Sequence, residues 1–291
     1  MKKYFLSANT SAGYISFYDE TVKKLNSVYT VTRETMRDES KEIFALAEKY
    51  GADELILNPM NTKLAVGCMI SSQNAGVFGA AIRNPVAFNE NHHGLYKAYG
   101  EAKQIHDEWE KIYVANMDTE KLNKYCDAIL YEYLHGKHGS GSGMNLNRFF
   151  GSSTPESPVN FIDELTEDLQ TRCFIKGRPG TGKSTFLRKF RDDAIKRGFD
   201  TETYYCSFDP SSLDMVVIRE LSLCIFDSTA PHEKFPVDSR DCILDFYKES
   251  GLDGVDEKYA EELKKISDAY NKKMQEGKSF LRKICEETES I

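Results

Sequence analysis

No stretch of this chain approaches the roughly 18 consecutive apolar residues of a membrane-spanning helix. After Met1-Lys2-Lys3 the apolar segment is only Tyr4-Phe5-Leu6, far short of the ~7–15 residues of a secretory signal core. These two absences make the cytoplasm the default expectation and exclude a membrane from the expected partners. A C-x-x-C pair is also missing, and the seven cysteines are widely spaced and odd in number. Cys68, Cys126, Cys173, Cys206, Cys224, Cys242 and Cys285 mostly sit in apolar runs such as Leu223-Cys224-Ile225-Phe226, so they read as reduced core thiols and not as zinc ligands or disulfides. Adjacent His92 and His93 lack metal-ligand spacing. Finally, positive charge is in deficit: 38 Lys and Arg against 46 Asp and Glu give a net charge of −8, which makes nucleic acid a poor candidate partner.

What is present is globular composition, 40% hydrophobic and 29% charged, in 291 residues, a length that favours two domains. The chain also resembles itself. At a fixed offset of 144, Phe5 meets Phe149, Thr10 meets Thr154, Phe17 meets Phe161, Asp19-Glu20 meets Asp163-Glu164, Leu25 meets Leu169 and Ser40 meets Ser184. A three-residue adjustment then aligns Gly51-Ala52-Asp53 with Gly198-Phe199-Asp200. Each half closes on a helical pattern, with Ile105, Trp109 and Ile112 on one face in the first and Tyr259, Leu263, Ile266 and Tyr270 in the second, stripes expected to pack on the parent domain. The Gly- and Ser-rich segment 136–146 reads as a flexible connector, giving domains 1–135 and 147–291.

The second half carries the chemistry. The β-type run Cys173-Phe174-Ile175 leads into Gly177-Arg178-Pro179-Gly180-Thr181-Gly182-Lys183-Ser184-Thr185, and a helical pattern with Phe186, Leu187, Phe190 and Ala194 on one side follows. This is the G-x-x-x-x-G-K-[ST] phosphate loop, or Walker A motif, in its required strand–loop–helix context. Glycines let backbone N–H groups and the helix N-terminus close on phosphate. Lys183 supplies charge for the β- and γ-phosphates, the Ser184 hydroxyl is placed to ligate Mg²⁺, and Thr185 is expected to begin packing the helix. The four fixed positions would arise by chance in about one chain in a hundred of this length, and the flanking pattern makes coincidence rarer. Asp227, ending the run Leu221–Phe226, is the candidate for the metal's acidic partner, with capping of the Ser228-Thr229 turn as the alternative. No Glu follows Asp227 to activate water, which argues against a fast motor. Asp209 ends another strand-like run and is a candidate catalytic base, with turn chemistry in Asp209-Pro210-Ser211-Ser212 as its alternative. His232 reads as a phosphate contact or a loop histidine.

Three blocks together, Gly177–Thr185, Cys206-Ser207-Phe208-Asp209-Pro210-Ser211-Ser212-Leu213-Asp214 and Ile225-Phe226-Asp227-Ser228-Thr229-Ala230-Pro231-His232, resemble a family of duplicated, tandem P-loop ATPases of Gram-positive bacteria with no established physiological role. The resemblance covers nearly the whole chain. It implies Mg-ATP binding and descent of both halves from one nucleotide-binding unit, and it names no substrate. The first half departs from the pattern: the loop segment reads Arg33-Glu34-Thr35-Met36-Arg37-Asp38-Glu39-Ser40, and Val77-Phe78-Gly79 falls on Ile225-Phe226-Asp227. Only Ser40 survives.

The expected fold is therefore α/β, two P-loop units each with a mostly parallel sheet and helices on both faces, plus helical extensions. The expected function is slow or partner-triggered ATP hydrolysis in the second half, with ATP and Mg²⁺ as ligands and a small-molecule or protein partner. A small-molecule kinase using Asp209 and a nucleotide sensor without turnover are the rival readings.

Overall fold

The structure, a computed structural model, describes residues 1–82 and 88–289. It is an α/β protein built on two mixed sheets. The first half runs β1 (Lys2–Tyr4), β2 (Ser7–Thr10), β3 (Gly13–Ser16), α1 (Tyr18–Val22), β4 (Ser27–Val31), α2 (Met36–Tyr50), β5 (Glu54–Leu57), β6 (Ala65–Ile70) and β7 (Ala75–Gly79), followed by the long helices α3 (Glu90–Asn116) and α4 (Thr119–Leu134). The second half repeats that order. It runs β8 (Asn145–Arg148), β9 (Gly151–Ser153), β10 (Pro158–Asn160), α5 (Ile162–Thr166), β11 (Thr171–Lys176), α6 (Lys183–Lys196), β12 (Thr201–Tyr205), β13 (Leu213–Ile218) and β14 (Leu223–Asp227). Beyond the repeat come β15 (Asp241–Asp245), α7 (Phe246–Glu249), α8 (Val255–Lys258) and α9 (Ala260–Glu289).

Sheet order repeats too: β1-β5-β6-β7-β4 in the first sheet and β15-β11-β14-β13-β12-β8 in the second, where β15 extends the edge beside β11. The sheets are mixed and mostly parallel, with one reversed strand in each. β6 and β13 run antiparallel to both of their neighbours, because each is reached by a short connection that reverses the chain. At the same place in both sheets the ladder slips by a residue. Ile56 pairs with Gly67 but Leu57 with Ala65, and Tyr204 pairs with Met215 but Tyr205 with Leu213, so Val66 and Asp214 are the extra residues of equivalent β-bulges.

The halves are joined where their edge strands end. Phe5 and Phe149, the pair matched at offset 144, exchange both backbone hydrogen bonds at 2.9 Å as an antiparallel bridge. Around it lies one core drawn from both halves, with Tyr4, Phe5, Ile56 and Phe78 packed with Phe149, Phe161, Phe174 and Phe226. Buried Arg148 donates in bidentate fashion to Glu54 of the other half at 2.9 Å, and its guanidinium lies 4.1 Å above the Tyr4 ring. On its other side it approaches Glu202, which also accepts from Arg219 at 2.7 Å. Burial would push the Glu202 carboxyl up, but the two arginines outweigh it and hold the group at about 2.

Three expectations about the halves need correction. The helix α4 packs Leu122, Cys126 and Ile129 into the core beneath α6, with Ile175, Phe186, Phe190 and Ile225, so a cut at 135 would strip the second sheet of a covering helix. Segment 136–146 is fastened and not free. Gly139 N–H donates to Arg197 O at 2.9 Å, Ser140 N–H to the Glu220 carboxylate, Met144 N–H to Asp200 at 2.7 Å, and β8 already begins at Asn145. Lastly, the two helical stripes pack against each other. Leu95 and Tyr99 of α3 meet Leu281 and Ile284 of α9, and Tyr113 meets Leu263, burying on each helix the face that the sequence assigned to its own domain.

Breaking one partner of a buried, bidentate ion pair leaves the other charge uncompensated, at a cost of about 3–5 kcal/mol. Glu54→Gln is therefore expected to lower stability by about that amount in a urea titration, in a single transition that reports both halves. A change below about 1 kcal/mol, or two separate transitions, would show that the halves do not depend on this joint.

Candidate functional site

The site forms where β11 ends and α6 begins. Cys173 and Ile175 face the core under α6 while Phe174 faces the shared core, so β11 is buried on both sides and fixes where the chain emerges at the sheet's carboxyl edge. Gly180 and Gly182 take positive φ of 78° and 77°, turning the loop back to start α6 at Lys183. A Cβ on Gly180 would stand 2.8 Å from the Glu110 carbonyl of α3, so that helix runs directly alongside the loop. Inside it, buried Thr181 donates its hydroxyl to Arg178 O at 2.8 Å. The exposed Arg178 side chain is tied to Asp256 at 2.6 Å. Pro179 completes the turn between them, and Thr185 is exposed instead of packing the helix as expected, because it lies on the outward face of α6 beside Arg188.

Lys183 and Asp227 are brought together, with Ser184 next in the chain at the start of α6. The Lys183 side chain is only 10% exposed, with Nζ donating to Arg178 O at 2.8 Å and lying 3.6 Å from Asp227 Oδ2. Strand β14 neighbours β11 directly, with Ile175 opposite Asp227, and this pairing sets the acid beside the loop. Asp227 Oδ1 also accepts the Thr229 hydroxyl at 2.7 Å, so the turn-capping role coexists with the lysine contact. Ser184 Oγ accepts the Leu213 N–H at 2.9 Å, which leaves one oxygen lone pair and the hydroxyl proton for other partners.

Asp209 is placed differently. Its oxygens accept the Ser211 N–H at 3.0 Å and the Ser211 and Ser212 hydroxyls at 2.6 and 3.2 Å, and Lys103 of α3 stands 3.4 Å away. Burial favours the protonated acid, but these hydrogen bonds and the lysine win, and the carboxyl titrates below its ordinary value. A carboxylate so engaged holds a turn and is a poor proton acceptor.

Sequence reasoning passed over Asp214. It is the bulge residue of β13, 6% exposed, and its Oδ2 lies 3.6 Å from His232 Nε2. Burial and the neighbouring charge of Asp227 raise the Asp214 carboxyl against the opposing pull of His232, and the two carboxylates in turn raise His232 against its own burial. The one available signal was an acid inside the apolar run Leu213–Ile218.

The first half shows the same scaffold with different residues at these positions. Helix α2 starts at Met36, capped by Thr35, a full turn before the Glu39 that stands at the lysine position, so the chain has no room for a looped-out cradle. Glu39 is buried, and a Cβ at Gly79, the counterpart of Asp227, would lie 2.6 Å from its Oε2. Ser40 Oγ accepts the Ala65 N–H at 2.9 Å, the twin of the Ser184–Leu213 bond. Val66 sits where Asp214 does.

Comparison with known protein families, characterised proteins and solved structures yields no match. Among the described residues, no helix is long and apolar enough to cross a membrane.

Leaving a buried amide without its acceptor costs about 1–3 kcal/mol. Ser40→Ala and Ser184→Ala are expected to lose similar stability, about 1–2 kcal/mol each, in chemical denaturation. A loss confined to Ser184→Ala would mean that the Ser40 bond carries no weight in the fold.

Proposed function

We propose that the chain is a Mg-ATP-binding P-loop NTPase, arisen by internal duplication, that hydrolyses ATP slowly in its second half alone. The observation that carries this reading is the convergence of Lys183, Ser184 and Asp227 on a glycine loop held between a buried strand and the N-terminus of a helix. Such an N-terminus favours anions, and an ammonium and a hydroxyl at its first two positions match the needs of a triphosphate with its metal. Ser184 Oγ with its spare lone pair and the Asp227 carboxylate would hold Mg²⁺, one directly and the other through its water shell. The metal would supply charge neutralisation across the β- and γ-phosphates. Binding asks Lys183 to trade its bond to Arg178 O for phosphate oxygens, a short rearrangement of a flexible side chain.

Duplication is supported by the shared element order, shared sheet order, equivalent bulges and the equivalent serine bonds. The first half then lacks a site for three physical reasons: no cradle, an acid for the lysine, and a glycine for the metal's acid. Phosphoryl transfer to a small molecule has less support, since Asp209 is committed to its turn.

Lys183→Ala is expected to fold, to lose at least a hundredfold in ATP affinity and to release no ADP when incubated with Mg-ATP, whereas the parent chain releases it steadily. Equal binding by the two proteins would remove the loop from the reading, and steady ADP only in the presence of a small-molecule acceptor would favour the kinase.

A further inference from the structure

We propose that Asp214, held by His232, is the general base that takes the proton of the attacking water, in place of the glutamate missing after Asp227. The inference rests on the reading of the second half as an ATP hydrolase. Its own basis is the comparison that the chain makes with itself. A β-bulge stands at the same ladder position in both sheets, and Val66 fills it in the first, 5% exposed within the core. The bulge thus needs no acid. Burying a carboxylate where an apolar side chain serves is unfavourable, and such a group calls for a reason beyond the fold. The acid is present only in the copy that also keeps the loop, the lysine and Asp227.

Position agrees with the role. Leu213, one residue before Asp214, donates its N–H to Ser184 Oγ, so the bulge abuts the start of α6 where a γ-phosphate and its metal would lie. In the antiparallel β13–β14 ladder, Met215 faces Phe226, which brings Asp214 level with Asp227. His232 closes the arrangement from the chain just beyond β14: its Nε2 faces Asp214 at 3.6 Å, and its ring packs edge-on against Phe150 with centroids 5.1 Å apart. An imidazole fixed in this way orients the carboxylate, as a base is oriented by a third group in other catalytic arrangements. The side chain of Asp214 is 9% exposed, so a water that reached it would be held away from bulk solvent.

In the step itself the water oxygen bonds to the γ-phosphorus while its proton passes to an Asp214 carboxylate oxygen. The bond from phosphorus to the β–γ bridging oxygen breaks, and its electron pair departs on ADP. His232 touches no reacting atom and acts as a positioning residue.

The test separates binding from chemistry in the full-length chain. Single-turnover cleavage of Mg-ATP and the calorimetric affinity for a non-hydrolysable Mg-ATP analogue are measured for the parent, Asp214→Asn, Asp214→Val and His232→Gln, together with their unfolding midpoints. General-base catalysis contributes typically 10²–10⁴-fold. Both Asp214 variants should cleave at least a hundredfold more slowly with affinity unchanged within about threefold, and His232→Gln should lose roughly tenfold with affinity likewise kept. Asp214→Val reproduces the residue of the first copy and guards against a variant that fails to fold. Cleavage at the parental rate in either Asp214 variant overturns the proposal. So does a parallel loss of nucleotide affinity, which would make Asp214 part of the binding apparatus. If the parent binds Mg-ATP and never cleaves it, the hydrolase reading fails first and this one falls with it.

Discussion

Everything in this molecule depends on the joint at which Phe5 and Phe149 exchange backbone hydrogen bonds. Around that bridge the two halves share one core, and Arg148 of the second half is neutralised by Glu54 of the first. A buried guanidinium without its carboxylate would be strongly unfavourable, so the ion pair makes each half a condition for the other. The linkage continues outward: α3 and α4 follow the first half in sequence, yet α4 completes the core beneath α6 and α3 runs beside Gly180. The first half therefore has a mechanical role in the second, because the Gly177–Thr185 loop rests on helices and a core that it supplies.

The internal repeat works as a control that most proteins lack. Features common to both halves belong to the fold. The serine that accepts a strand amide is structural in both. The Lys183–Asp227 and Asp214–His232 contacts occur in the second half alone, where the first has Glu39, Gly79 and Val66. Glu39 and Gly79 also make sense as a pair. The space that Gly79 leaves is taken by the Glu39 carboxylate, which an aspartate at that position would repel.

Much of this was legible in the residues. The offset of 144 aligned the two halves, and Phe5 and Phe149, its first pair, meet in space. The strand–loop–helix order around Gly177–Thr185 was readable because a glycine-rich turn between an apolar run and a helical pattern has few other foldings, and Lys183 and Asp227 do meet. The Thr229 hydroxyl donates to Asp227, the turn contact that the sequence offered as that residue's alternative role. What could not be read was long-range. Apolar stripes on α3 and α9 say that each helix packs, and nothing in their periodicity names a partner from the other half. The antiparallel run of β6 and β13 was hidden because a strand buried on both faces shows no alternation to reveal its direction. Glycines in 136–146 resembled a loose tether, whereas they permit close backbone approach: a Cβ on Gly139 would lie 2.4 Å from Gly198 O. Asp214 was overlooked because its meaning comes from a bulge, and a bulge is a relation between two strands.

On the proposed function, the intact chain holds one nucleotide, in the second half, on a scaffold that both halves build. The decisive measurement is calorimetric titration of the intact chain with Mg²⁺ and a non-hydrolysable ATP analogue. A stoichiometry near one is expected. No binding at all, or a second equivalent that persists when Lys183 is replaced, would contradict it.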